Sequence, residues 1–336
     1  MSEALVERKR GIRCLLFDLG DTLWYRESQE GWERLEGIAN QHAIELLRRH
    51  ISPASLPASD DQLLGQRLRR AFDAQIRATI RRTPLLEPDA LQAIGCVLQE
   101  WGIQERDASL CRALFEALRV RIPESRPLFP DALSTLAELR RRGYALGIVT
   151  NRLWGGQPFL EDLHMLGLLN YFDLNHIAIS GDLGLRKPNA QIFEYALNAL
   201  HVSPHETAMI GDSLSADVLG AQPLGIYAVW RPKPWLTAWA IEHAGSPSGQ
   251  TEGTQQSVWL GTFPGEDTAD TQLAETRETS SMPSKEMLLT DDDYILARAH
   301  KNRDYLEQFR HGEIRPDCVI AHLTDLLGLF PGVSAP

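Results

Sequence analysis

Cysteine is scarce in this chain. Four occur in 336 residues, at Cys14, Cys96, Cys111 and Cys318. Their scatter excludes a paired-thiol metal site or a dense disulfide framework and leaves packed free thiols. No apolar run approaches the ~20 residues of a membrane span. Residues 1–11 are charged and have no apolar stretch, so no secretory signal is expected and a cytoplasmic location is. An excess of basic residues is also missing. The 34 Lys and Arg stand against 45 Asp and Glu, a net charge of -11, which argues against nucleic acid as a partner. No internal repeat is present. Lysine is absent from the whole of segment 23–127.

What remains is an ordinary globular composition, 43% apolar and 24% charged. The most informative stretch is Arg13 to Leu23. Cys14 to Phe17 is a short apolar run that reads as a buried strand. It ends in Asp18, followed by Gly20, Asp21 and Thr22, which do not continue a strand. A carboxylate at the carboxyl end of a buried strand is where open α/β sheets place their chemistry.

Segment 28–122 reads as helical. Ser28 caps a helix running to His50, and others span Asp60 to Arg82, Pro88 to Trp101 and Asp107 to Val120. Four helices with no strand between them form an inserted helical domain. Regular alternation follows. Strands are expected at Leu146–Thr150, Ile177–Ser180, Thr207–Ile210 and Ile226–Trp230. Helices between them cover Pro130–Arg142, Pro158–Leu168, Asn189–Leu200 and Ser215–Gln222. The fold class is therefore α/β, a parallel sheet with short connections.

Residues 236–336 hold 7 Lys and Arg against 16 Asp and Glu, a shift that suggests a boundary near residue 236. Residues 244–287 are rich in Gly, Ser, Thr, Pro and Gln and poor in large apolar groups, as in a disordered linker. Asp291–Phe309 and Asp317–Leu329 then read as helices. The expected division is 1–22 with 128–235 as a sheet core and 23–127 as the helical insertion. A linker at 236–287 and a helical C-terminal extension at 288–330 complete it.

Four segments fall at one edge of such a sheet. They contain Asp18, then Thr150 and Asn151, then Lys187, then Asp212 and Asp217. Several carboxylates in one cleft repel one another unless a cation joins them. No histidine or cysteine cluster accompanies them, so a hard ion such as Mg2+ is the natural occupant. Such an ion, with a lysine and a hydroxyl, makes a clamp for phosphoryl oxygens. A carboxylate inside the clamp can attack phosphorus.

On these residues the chain resembles the haloacid dehalogenase superfamily. The motifs that carry the likeness are Asp18 with Asp21-Thr22, Thr150-Asn151, Arg186-Lys187-Pro188, and Gly211-Asp212-Ser213 followed by Asp217 and Gly220-Ala221. The resemblance covers about residues 12–235. It implies a Rossmann-like core with a helical cap of the C1 type and a Mg2+-dependent phosphatase working through an aspartyl-phosphate. Asp18 would be the nucleophile and a metal ligand. Thr150 would bind the phosphoryl oxygens and Lys187 would balance charge. Asp212 would bind the metal, and Asp217 would bind it or hold Lys187. Asn151 and Trp24 would touch substrate, a small phosphorylated metabolite.

One departure matters. Phosphatases of this superfamily normally have aspartate two residues after the nucleophile, where it protonates the leaving alcohol. Here that residue is Gly20. Its carbonyl can still serve the metal, but the acid is gone, and such help is typically worth ~10²–10⁴ in rate. Three explanations stay open. The substrates have good leaving groups, or Asp21 or a cap residue is the acid, or the chain is a weakened catalyst that binds a phosphorylated ligand or a protein partner. Phosphonate-cleaving relatives, which use a cap lysine, fit less well, because segment 23–127 has no lysine. The acidic extension lies outside the resemblance; shielding the site, self-association and partner binding are the roles open to it.

Overall fold

The computed structural model describes residues 11–26, 28–52, 55–103, 108–244 and 291–333. Its centre is one sheet of six parallel strands. These are β1 (Cys14–Phe17), β2 (Ala145–Thr150), β3 (Ile177–Ile179), β4 (Thr207–Gly211), β5 (Tyr227–Trp230) and β6 (Cys318–Val319), in the spatial order β3-β2-β1-β4-β5-β6. β1 is wholly buried, as a central parallel strand covered on both faces must be. Its side chains alternate: Leu15 and Phe17 enter one core cluster, Cys14 and Leu16 the other. The order reverses between β1 and β4, so their carboxyl ends flank a crevice.

The helices used below are α1 (Gln29–His50), α2 (Asp61–Arg82), α3 (Ala90–Glu100), α4 (Ala108–Ala117), α5 (Ala132–Arg141), α6 (Gly156–Met165), α7 (Ala190–Leu200), α8 (Thr237–His243), α9 (Asp291–Arg298) and α10 (Arg303–Arg310). The first three carry side-chain N-caps. Ser28 accepts from Gly31 N at 3.0 Å, Asp60 from Leu63 N at 2.8 Å and Asp89 from Leu91 N at 2.9 Å; such a cap is worth about 1 kcal/mol. α1–α4 share a core of their own, with Ile44, Leu47, Leu68, Phe72, Val97 and Leu114 inside. Gly65 lets α1 and α2 approach closely, since a Cβ there would lie 3.0 Å from Asn40 Cβ.

Contacts between the insertion and the sheet layer include the following three. A ribbon joins the insertion's two ends, with Tyr25 N donating to Pro127 O at 3.1 Å and Phe129 N to Leu23 O at 3.0 Å. A second bridge pairs Glu87 N with Gly184 O and Arg186 N with Leu85 O, each at 3.0 Å, beside a Glu87–Arg186 ion pair of 2.6 Å. Third, Trp154 stacks on Phe115 with ring centroids 4.9 Å apart and donates to its carbonyl at 3.0 Å.

The C-terminal region departs from expectation. Residues 236–244, expected to begin a linker, are the end of a tight turn followed by α8, with Trp239 and Ala240 buried; residues 245–287 lie outside the described residues. The expected helix Asp291–Phe309 is broken into α9 and α10 at His300–Asn302. The expected helix Asp317–Leu329 is instead β6, a short turn at Leu323–Asp325 and a single helical turn at Leu326–Leu329. This region wraps the sheet's edge. α9 and α10 bring Leu296, Leu306 and Phe309 to the cluster of Trp230 and Trp239, β6 pairs with β5, and Leu323, Leu326 and Phe330 enter the opposite cluster. Ile177–Ser180 ends one residue early, because Ser180 opens a short helical turn. No helix among the described residues is long and apolar enough to cross a membrane.

Candidate active site

Asp18 follows β1 directly, and its backbone N donates to Ile210 O at 2.9 Å. Lys187 sits in the loop before α7. Its Nζ donates to Asp18 Oδ1 and Asp217 Oδ1, both at 2.6 Å, and to Val149 O at 2.7 Å. Those three bonds use all of the ammonium's donors. Asp18, Lys187 and Asp217 are all buried. The loop that carries Lys187 is held by Asn151, whose amide donates to Lys187 O at 3.0 Å and accepts from Lys187 N at 2.8 Å.

Asp217 lies in the turn after β4. Gly211 makes room for it, since a Cβ at 211 would fall 2.1 Å from Asp217 Oδ2. That oxygen instead accepts from Ser213 N at 3.0 Å. Gly220 plays a similar part behind the turn, where a Cβ would meet the Phe193 ring at 2.8 Å. Asp18, Asp212 and Asp217 place one carboxylate oxygen each within 4.8 Å of one another.

The electrostatics follow from this crowding. Burial raises Asp18 to about 6, against the pull of Lys187 and with a push from Asp217. Burial, then the carboxylates of Asp21, Asp18 and Asp217, lift Asp212 well above the usual carboxylate range. Burial works against the Lys187 ammonium, but Asp18 and Asp217 outweigh it and hold it above its ordinary value. One ammonium cannot balance three close carboxylates. The oxygen-only donor set therefore fits a hard divalent cation.

A cavity of about 370 Å³ opens over this cluster, lined by Asp18, Gly20, Asp21, Trp24, Thr150, Asn151, Lys187, Asp212 and Asp217, with Arg126, Arg152 and Ser213 among the others. All the residues singled out in the sequence thus meet at one place, but not all in the expected posture. Asn151, expected to touch substrate, commits its amide to the Lys187 backbone. Trp24 borders the cavity, yet it is 3% exposed and packs edge-on against Phe159 at 6.3 Å. Asp21 has a left-handed backbone (φ 53°), its carbonyl accepts from Arg231 at 2.9 Å, and its carboxylate pairs with Lys233 at 3.0 Å.

Sequence reading missed four basic residues here. Arg152, two positions after Thr150, had a signal in that adjacency. Arg126, Arg231 and Lys233 had none, because tertiary structure alone brings them in.

A family model described as haloacid dehalogenase-like hydrolase matches residues 12–225. Glyceraldehyde 3-phosphate phosphatase of Pyrococcus furiosus is 30% identical over 225 residues, covering 66% of this chain and 81% of that protein. Phosphoserine phosphatase of Thermus thermophilus is 43% identical over 131 residues, which is 38% of this chain and about half, 48%, of that protein. The crystal structure of a HAD phosphatase from Thermococcus onnurineus aligns over 66% of this chain and 86% of its own, with TM-score 0.42 and 26% identity. With the motifs gathered at one cavity and the family match spanning more than half its length, the chain belongs to the haloacid dehalogenase-like hydrolases.

Proposed function

We propose that this hydrolase removes phosphate from small phosphorylated metabolites, with Mg2+ as cofactor and Asp18 as nucleophile. The observation that carries the reading is the buried Asp18–Lys187–Asp217 chain beside Asp212. Two relatives named for phosphatase activity, on phosphoserine and on glyceraldehyde 3-phosphate, support it.

Asp18, Asp212, Asp217 and the Gly20 carbonyl are the ligands offered to Mg2+. When bound, the ion screens the carboxylates and draws charge from the phosphoryl oxygens. Lys187 fixes Asp18 by one oxygen and leaves the other free to approach phosphorus. Thr150, at the end of β2, offers its hydroxyl to a phosphoryl oxygen. The new bond forms between Asp18 and phosphorus, and the ester oxygen departs with the electron pair. Water then cleaves the acyl phosphate and returns Asp18 to its free form.

The departing oxygen needs a proton unless it is a stable anion. Gly20 has none to give, and the Asp21 carboxylate is tied to Lys233. Acyl and aryl phosphates, whose leaving groups need little protonation, are therefore the favoured substrates. The same gap at position 20 favours a second reading, in which the chain turns over weakly and chiefly binds a phosphorylated ligand.

Release of inorganic phosphate from a panel of esters tests both. We expect release with Mg2+, none with EDTA, and a fall of roughly 10³-fold or more for Asp18→Asn, the scale seen when a nucleophile is removed. Activity untouched by Asp18→Asn would overturn the mechanism. Binding without turnover on any ester would favour the second reading.

A further inference from the structure

Arg126 and Arg152 line the same cavity as Asp18 and Lys187. Among the described residues neither guanidinium has an ion-pair partner. Arg152 Nε is buried with no hydrogen-bond partner. Its neighbour Asp162 is already committed, accepting from Arg119, from Arg121 Nε at 3.2 Å and from Ile122 N at 3.3 Å. Both guanidinium groups lie against aromatic faces, Arg152 over Phe159 at 4.6 Å and Arg126 over Trp32 at 5.3 Å. Stacking of this kind fixes the plane and leaves the N–H edges for an anion.

The charge balance points the same way. Burial, then the cations of Arg126 and Arg119, push Arg152 down to about 9. Burial, then Arg26, lowers Arg126 against a smaller opposing pull from Asp21. Among the described residues these two desolvated cations have no carboxylate in ion-pair contact, and the more distant Asp21 and Asp162 offset only part of the cost of their burial. Lys187 cannot share this task, because Asp18, Asp217 and Val149 fill its three donors.

We infer that Arg126 and Arg152 form a second anion subsite, so that the substrate carries a carboxylate or second phosphate besides the phosphoryl group facing Asp18. The inference rests on the phosphatase reading for the identity of the first group. It narrows the substrate class to small phosphorylated compounds that carry a second anionic group. The arginines come from the hinge of the insertion and from the loop after β2, so a bound dianion would also draw these two elements together.

Calorimetric titration of the Asp18→Asn protein with Mg2+ present tests the subsite without turnover. The probes are phosphoglycolate, propane-1,3-diol bisphosphate and propyl phosphate. We expect at least one of the doubly anionic probes to bind roughly 10- to 100-fold more tightly than propyl phosphate. Whichever does so identifies the second group. Adding Arg126→Gln or Arg152→Gln should shrink that preference towards unity. Propyl phosphate binding within about threefold of both others, binding of none of the three, or a preference that survives both substitutions would each overturn the inference. The comparison of probes on one folded protein keeps the test valid even where an arginine variant misfolds. Phosphate release by the wild type is measured separately. If no ester is turned over while the preference persists, the phosphatase reading fails and the subsite stands.

Discussion

At position 20 the backbone lies outside the left-handed region and the space beside it is open. A Cβ there would meet only Asp18 Oδ2, at 4.0 Å. Gly20→Asp therefore needs no rearrangement and would set a carboxyl group beside the attacking oxygen. We expect it to raise the hydrolysis of alkyl phosphates by about 10²-fold or more and that of aryl phosphates much less, since only the former need a proton donor. Steady-state kcat on matched alkyl and aryl esters measures the difference, and equal gains would refute the missing-acid account. Asp21→Ala is the companion variant. Because Lys233 holds that carboxylate, residual alkyl phosphate turnover should change by less than about tenfold, well short of the loss a general acid causes. The central residues were legible in the sequence because each is fixed by its own short segment. Asp18 ends a strand, Lys187 precedes a helix, and Asp212 and Asp217 share one turn. Lys233 and Arg126 were not legible, because contacts across long sequence separations bring Arg126 to the cavity and Lys233 to Asp21 at its edge.

Among the elements, α2 carries a carboxylate whose protonation is linked to folding. Burial outweighs the Arg69 cation and raises Asp73 to about 6, with Glu36 adding to the rise and Arg77 opposing it. A raised folded-state value means that the folded form holds this proton more tightly. The stabilisation is complete below the unfolded value of 3.8 and disappears as the pH climbs through about 6. Asp73→Asn should therefore stabilise the chain near pH 7.5 by at most roughly 3 kcal/mol, reduced by partial solvent access. The advantage should vanish near pH 4, and urea unfolding at the two pH values reads it directly. α6 carries a buried carboxylate of another kind, held in ion pairs. Asp162 is fully buried and joins α6 to Arg119, Arg121 and Ile122 at the exit of the insertion. Asp162→Ala would leave two cations without their partner and should cost about 3–5 kcal/mol in urea unfolding. Helices such as α1 and α2 could be read from the sequence because an apolar face recurs over six turns. The segment from Asp317 onward could not, because a two-residue strand and single helical turns are too short to show a period.

For the whole molecule, the last described segment belongs to the body and not to an appendage. Phe309 is 3% exposed and packs 4.8 Å from the Trp230 ring and 5.8 Å from Trp239. Phe309→Ala should lower the unfolding free energy of the sheet layer by about 3–5 kcal/mol. An unchanged urea midpoint would show that α10 is only loosely attached. The acidic composition after residue 236 suggested a separate extension; among the described residues Leu296, Leu306 and Phe309 enter one side of the sheet and Leu323, Leu326 and Phe330 the other. β6 closes the edge of β5 from far along the chain. During synthesis Trp230 emerges long before Cys318, and at about 5–20 residues per second the roughly ninety residues between them take some 5–20 s. Until Cys318 and Val319 are made, β5 has no β6 to pair with, and an unpaired strand edge is a template for strands of other chains. Slower translation would lengthen the wait of β5 for its partner strand.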